Sequence, residues 1–218
     1  MPYVCLLLSG AALLVNGLAA LELLPRRDAA VLSVSVGAIQ LALAVGYLSS
    51  QDGGTPVLLS AAGMTLFGLT YIYSGMDVLL GLGSKGVGWF CGMVALVGPL
   101  LAAAWLQDDP LLAVLWLCWS VLWGLFFASM AMGVEGLNPF IGWALVLTSQ
   151  VTATVPAFLG LAGLWPHSPA VAAASAVILT GLFLAAGILA RRPQTRCLQP
   201  KDEYGPAETE HGAGLQGP

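Results

Sequence analysis

Three tryptophans, Trp116, Trp119 and Trp123, stand at i, i+3 and i+7, which puts them on one face of a helix. Phe67 and Tyr71, at i and i+4, share a face of another. Tryptophan ordinarily gathers at the membrane–water interface, so a column of three running two turns into an apolar segment calls for a different setting. Either the rings pack against neighbouring helices, or they line a narrow slot. Neutral hydrogen-bonding groups lie in the same apolar segments: Asn16, Gln40, Thr65, Thr70, Tyr71, Thr148, Gln150, Thr152 and Thr154. Two readings stand here as well. A threonine can return its hydroxyl to its own helix and an Asn or Gln can bridge two helices, or these groups can serve a solute. An aromatic, uncharged lumen with such groups suits a small, polar, neutral solute, because an ion would lose its hydration there without compensation.

Ionisable groups at membrane depth mark functional sites by default, and none stands in the middle of an apolar segment; Glu22 and Asp77 fall near segment ends. This argues against a proton pump, a retinal protein or an ion-coupled transporter. Cys5, Cys91 and Cys118 lie in apolar stretches and Cys197 in the C-terminal tail, with no C-x-x-C spacing, so neither a metal site nor a disulfide framework is indicated. No nucleophile with a base accompanies them. The chain reads as a non-enzyme that needs no metal and no cofactor.

The elements that hold these residues are membrane spans. Of 218 residues 58% are hydrophobic and 8% charged, where about a quarter charged is usual for a soluble domain, and the mean hydropathy is +0.88. That balance excludes a soluble enzyme, a nucleic-acid reader and a disulfide-stapled secreted module. Apolar runs bounded by charge, Pro or Gly clusters give seven segments: Tyr3 to Leu21, Ala29 to Leu48, Pro56 to Leu80, Gly86 to Leu106, Pro110 to Met132, Phe140 to Leu164 and Pro169 to Ala190. The first lacks a basic n-region and an A-x-A site, and so reads as a retained span rather than a signal peptide. Arg26, Arg27, Lys85, Arg191, Arg192, Arg196 and Lys201 all fall on one side of the membrane. The positive-inside rule therefore puts the N-terminus outside and the tail in the cytoplasm. The net charge of −4 carries little information about partners, since four of the acids sit in that polar tail. The tail, 191–218, has the composition of a disordered segment.

The odd segments share an x-Gly-Leu core, in Asn16-Gly17-Leu18, Phe67-Gly68-Leu69 and Trp123-Gly124-Leu125. Each odd segment is followed by an even one, so residues 1–165 read as three tandem two-helix hairpins around an axis along the membrane normal. Asn16, Phe67 and Trp123 then become equivalent positions facing the centre. The glycines also admit the simpler reading of close helix packing.

The blocks LVNGLAAL, LFGLTYIY, LWLCWSVLW and TATVPAF resemble, in order and spacing, the corresponding segments of the AmiS/UreI family of urea and short-chain amide channels. The resemblance implies an all-α integral membrane protein of six spans around a pore central to each protomer, assembled as a homo-hexamer around a lipid plug. It makes Leu13, Asn16, Phe67, Tyr71, Trp116, Trp119 and Trp123 the lining and constriction residues. Thr148 stands where the urea channel carries a span 6 carboxylate, and becomes a polar lining position. The connection SSQDGGT has no histidine, unlike the long histidine-rich loop of the proton-gated urea channel, so acid gating is not expected. Segment 7, within 166–190, is extra to the six-span body. The expected function is passive conduction of urea or acetamide-like neutral amides across a bacterial inner membrane. The alternatives are a seven-span receptor or sensor and a channel for another neutral solute such as ammonia or water.

Overall fold

In lipid a backbone N–H or C=O has no water to bond, so long apolar runs close their hydrogen bonds within helices. The computed structural model describes residues 1–50 and 53–192; the tail assigned to disorder lies almost wholly outside the described residues. Among the described residues, seven helices are long and apolar enough to cross a membrane: Pro2–Ala20, Arg26–Ser49, Thr55–Leu80, Lys85–Trp105, Pro110–Ala131, Glu135–Leu161 and Pro169–Ala190, here spans 1 to 7. Among the described residues there is no strand. The protein is a multi-pass, all-α membrane protein. Spans 1, 3, 5 and 7 carry proline in the first turn, as does the α-helix Asn138–Ser149 within span 6; there its missing N–H costs nothing and its fixed φ suits the helix.

Three boundaries differ from the sequence reading by three residues or more. Span 6 begins at Glu135, in a 3-10 turn, rather than at Phe140. Span 2 begins at Arg26 rather than Ala29: Asp28 in the first turn complements the positive helix end, and arginine stems can lie along the helix with their heads in water. Span 6 ends at Leu161 rather than Leu164. Gly163 there adopts φ +72°, and Leu164 N donates back to Leu159 O at 2.8 Å, which turns the chain. Within span 6 a π turn covers Gln150–Thr154, just ahead of Pro156, whose ring and missing N–H disturb the preceding turn.

Spans 1 to 6 do not associate most closely as the pairs 1/2, 3/4 and 5/6. The extensive contacts join 2 to 3, 4 to 5 and 6 to 1, and glycine makes each possible. A Cβ placed on Gly37 of span 2 would lie 2.6 Å from Gly68 O and 2.8 Å from Ile72 N of span 3; one on Gly17 of span 1 would lie 2.9 Å from Val146 N of span 6; one on Gly88 of span 4 would lie 2.6 Å from Ala131 N of span 5. Of the x-Gly-Leu glycines, Gly17 and Gly68 thus sit at tight helix contacts. Gly124 meets nothing within 4 Å, because in the 4/5 pair span 4 supplies the glycines. Span 7 buries Ala172, Leu179 and Ala186, a seam repeating every seven residues. It lies against spans 5 and 6, which touch each other little, and so covers the groove between them.

Gly37→Ala should lower the melting temperature in detergent, at a cost of about 1–3 kcal/mol for forcing two backbones apart. Gly181→Ala, which meets nothing within 4 Å, should leave it unchanged or slightly raised. Equal melting of both variants would show that spans 2 and 3 are not held at this distance.

Candidate transport path

At the face carrying the N-terminus the bundle opens into a vestibule of about 320 Å³. The first turns of spans 1, 3 and 5 and the last turns of spans 2 and 4 line it, together with Trp165 beyond span 6. Its inner end is aromatic. Phe67 of span 3 reaches the tryptophan column of span 5, with ring centroids 5.9 Å from Trp116, 5.0 Å from Trp119 and 4.7 Å from Trp123. The ring of Phe67 meets that of Trp119 edge to face at 90°, a favourable arrangement for aromatic quadrupoles. Trp116 and Trp119 also meet edge to face at 5.3 Å. Beyond them lies a second space of only about 30 Å³, lined by Leu13, Phe67, Thr70, Tyr71, Trp119, Leu122, Trp123 and Phe126, room for on the order of one or two waters. Phe67 and Trp119 belong to both linings. They form the septum between the two spaces.

The structure therefore gathers six of the expected residues along one line: Trp116 on the vestibule side, Phe67 and Trp119 in the septum, and Leu13, Tyr71 and Trp123 beyond it. Trp123 Nε1 donates to Thr70 Oγ1 at 3.2 Å, and Tyr71 OH to Ser9 O at 3.4 Å. Asn16 and Thr148 border neither space. Asn16 Nδ2 donates to Ala12 O and Ser33 Oγ, both at 2.8 Å, fastening span 1 to span 2. Thr148 is fully buried and returns its hydroxyl to Ala144 O at 2.7 Å. Thr65, Thr70 and Thr152 likewise bond their own helix.

Ser9, Trp105, Asp109 and Trp165 also line the vestibule, and the sequence reading assigned none of them to the path; Gln40, one of the neutral groups it left between bridging helices and serving a solute, lines it too. Asp109 ties the mouth together. Its Oδ1 accepts from Leu112 N at 2.9 Å, capping span 5, and its Oδ2 accepts from Trp165 Nε1 at 2.9 Å. Trp165 in turn packs on Tyr3 of span 1, with ring centroids 5.3 Å apart. Asp109 and Trp165 are 56 residues apart; no local signal joins them.

Burial raises the Asp109 carboxyl above its ordinary 3.8, against the bonds from Leu112 N and Trp165 Nε1 and the proximity of His167, which lower it. Folded protein thus holds this proton more tightly than unfolded chain does. The Asp109 contribution to stability is therefore greatest below pH 3.8 and declines as pH rises from there through the raised folded value. Asp109→Asn keeps a capping oxygen but sets its NH2 against the Trp165 N–H, so it loses that bond and removes the titration: its melting temperature should lack this decline with pH, at whatever absolute value. A decline of the same size in the variant would mean that Asp109 is not the group responsible.

Comparison with known proteins places this arrangement. The pattern of AmiS/UreI family transporters matches residues 1–164, the six-span ring without span 7. A Rhodococcus erythropolis protein described as a transporter, AmiS2, is 44% identical over 207 residues, 94% of this chain and 100% of that protein, a match too long to omit span 7. A Mycolicibacterium smegmatis protein described as a transporter of amidate substrates is 34% identical over 173 residues, 78% of this chain and 80% of that protein. A cryo-electron-microscopy structure of the Helicobacter pylori urea channel in its closed state aligns with a TM-score of 0.68 at 25% identity, covering 76% of this chain and 100% of that one. With the helical ring, the aromatic septum and these likenesses together, the chain belongs to the AmiS/UreI family of membrane transporters and channels.

Proposed function

We propose that the protein is a passive channel for small neutral amides or urea, and that the path runs from the vestibule through the Phe67, Trp119 and Trp123 rings. The observation that carries this reading is the septum: flat aromatic rings at the end of a vestibule whose lining, among the described residues, contains one carboxylate, Asp109 at the mouth. Rings without charge favour a planar neutral solute and reject ions, whose dehydration nothing there offsets. The relatives described as handling amidates and urea support the same solute class. The path contains no group arranged for covalent chemistry or energy coupling, which suits facilitated diffusion without cofactor.

The same reading places the protein in a bacterial inner membrane as a homo-hexamer, N-terminus outside, with the vestibule facing outward. Leu13, Trp116 and Tyr71 complete the lining; Asn16 acts on it from behind, by fastening span 1 to span 2, while Thr148 bonds its own helix. His167 is near Asp109, but no cluster of histidines surrounds the mouth in the sequence, and conduction is independent of pH in the range where histidine titrates.

Stopped-flow light scattering on proteoliposomes should show urea and acetamide equilibrating faster than in empty vesicles, equally at about pH 5 and about pH 7.5, on either side of the histidine range. Phe67→Ala and Trp123→Ala should change flux or selectivity at preserved expression; unaltered transport in both would remove the septum from the path. A reporter fused after residue 218 should be active on the cytoplasmic side only, and external activity would invert the topology.

A further inference from the structure

Two buried side-chain polar atoms among the described residues have no hydrogen-bond partner: Gln40 Oε1 and Trp119 Nε1. One is an acceptor and the other a donor. Both residues line the vestibule, Gln40 fully buried on span 2 and Trp119 in the septum at 3% exposure. The orientation of the Gln40 amide is settled by its surroundings. Its Nε2 donates to Cys5 O and to Ser9 Oγ, both at 2.8 Å, and a carbonyl oxygen such as Cys5 O can only accept, so Oε1 must be the atom left over. An unsatisfied buried donor or acceptor is costly, and the neighbouring indoles avoid that cost: Trp123 bonds Thr70 and Trp165 bonds Asp109.

We propose that Gln40 Oε1 and Trp119 Nε1 are the polar contacts of a primary amide or urea at the approach to the septum, the solute N–H donating to Gln40 Oε1 and its carbonyl oxygen accepting from Trp119 Nε1. This rests on the channel reading above and names the chemistry by which that channel selects. The acceptor of the site matches the donor of the solute, and the donor of the site matches the solute carbonyl. Both site atoms are closed off in this structure, and only about 30 Å³ lies beyond the septum. Any solute that passes must displace the septum of Phe67 and Trp119, and a displacement of Trp119 presents its N–H. Gln40 thereby serves two purposes: its nitrogen fastens span 2 to span 1, and its oxygen faces the traffic.

The two contacts separate by solute. Gln40→Met removes the acceptor for N–H groups, whereas Trp119→Phe removes the donor to the carbonyl and breaks no bond that the folded protein makes. Acetamide carries both groups; N,N-dimethylformamide keeps the carbonyl and has no N–H. In proteoliposomes, acetamide flux should fall about tenfold in each variant, the scale of one lost hydrogen bond. Flux of N,N-dimethylformamide, or its inhibition of acetamide flux should it not pass, should weaken in Trp119→Phe alone. Acetamide flux unchanged in Trp119→Phe, or both solutes affected equally in Gln40→Met, would overturn the assignment. Wild-type vesicles that carry no acetamide or urea would instead sink the channel reading, and this inference with it.

Discussion

The contact on which the rest depends is the one that Phe67 makes across the bundle. Span 3 and span 5 are not close neighbours; their tight partners are span 2 and span 4. Phe67 nevertheless reaches within 6 Å of three tryptophan rings of span 5, and this single side chain with Trp119 divides the interior into two spaces. On the channel reading proposed above, passage requires these rings to move, and rings yield to a flat neutral solute at far less cost than to a hydrated ion.

That contact in turn needs a scaffold whose helices cannot drift apart. Glycine at the 2/3, 4/5 and 6/1 contacts lets backbones approach to distances that a Cβ would forbid, which draws the six helices into three close pairs. The looser seams between pairs carry the polar fastenings instead: Asn16 to Ser33 and Gln40 to Cys5 and Ser9 between spans 1 and 2, and span 7 over the groove between spans 5 and 6. Nearly every polar group in the interior is used up in this way. Among the described residues the two buried atoms that are not, Gln40 Oε1 and Trp119 Nε1, both belong to residues of the vestibule wall.

Much of this was legible in the sequence. Hydropathy located all seven spans, since a helix is the one way an apolar run can satisfy its backbone in lipid, and the tryptophan spacing put three rings on one face before any partner was known. What the sequence missed or left open has a common cause. Segment ends turn on capping: Gly163 ends span 6 by its conformation and Asp28 supports an earlier start for span 2, and neither effect registers in hydropathy. The pairing 1/2, 3/4 and 5/6 followed chain order, but tightness is set by where a glycine on one helix meets backbone on another, which is a relation between two spans. Asn16, set at the centre by analogy with Phe67 and Trp123, directs its amide to Ser33 across the 1/2 seam, a partner that the sequence of span 1 does not reveal.

The sequence by itself determined that this chain lies in a membrane, how many times it can cross, that its interior holds no charge at depth, and that its aromatic residues form columns. Each follows from composition or from periodicity along one helix, and needs no knowledge of neighbours. Only the tertiary structure decided that Phe67 meets the tryptophan column, that Asp109, Trp165 and Tyr3 close ranks at the mouth, that span 7 seals a groove, and that Gln40 and Trp119 are left with unspent hydrogen bonds. These are properties of pairs far apart in the chain, and in an apolar sequence many pairings would bury a side chain equally well; which one is realised depends on steric fit between helices, and that exists only once all of them are in place.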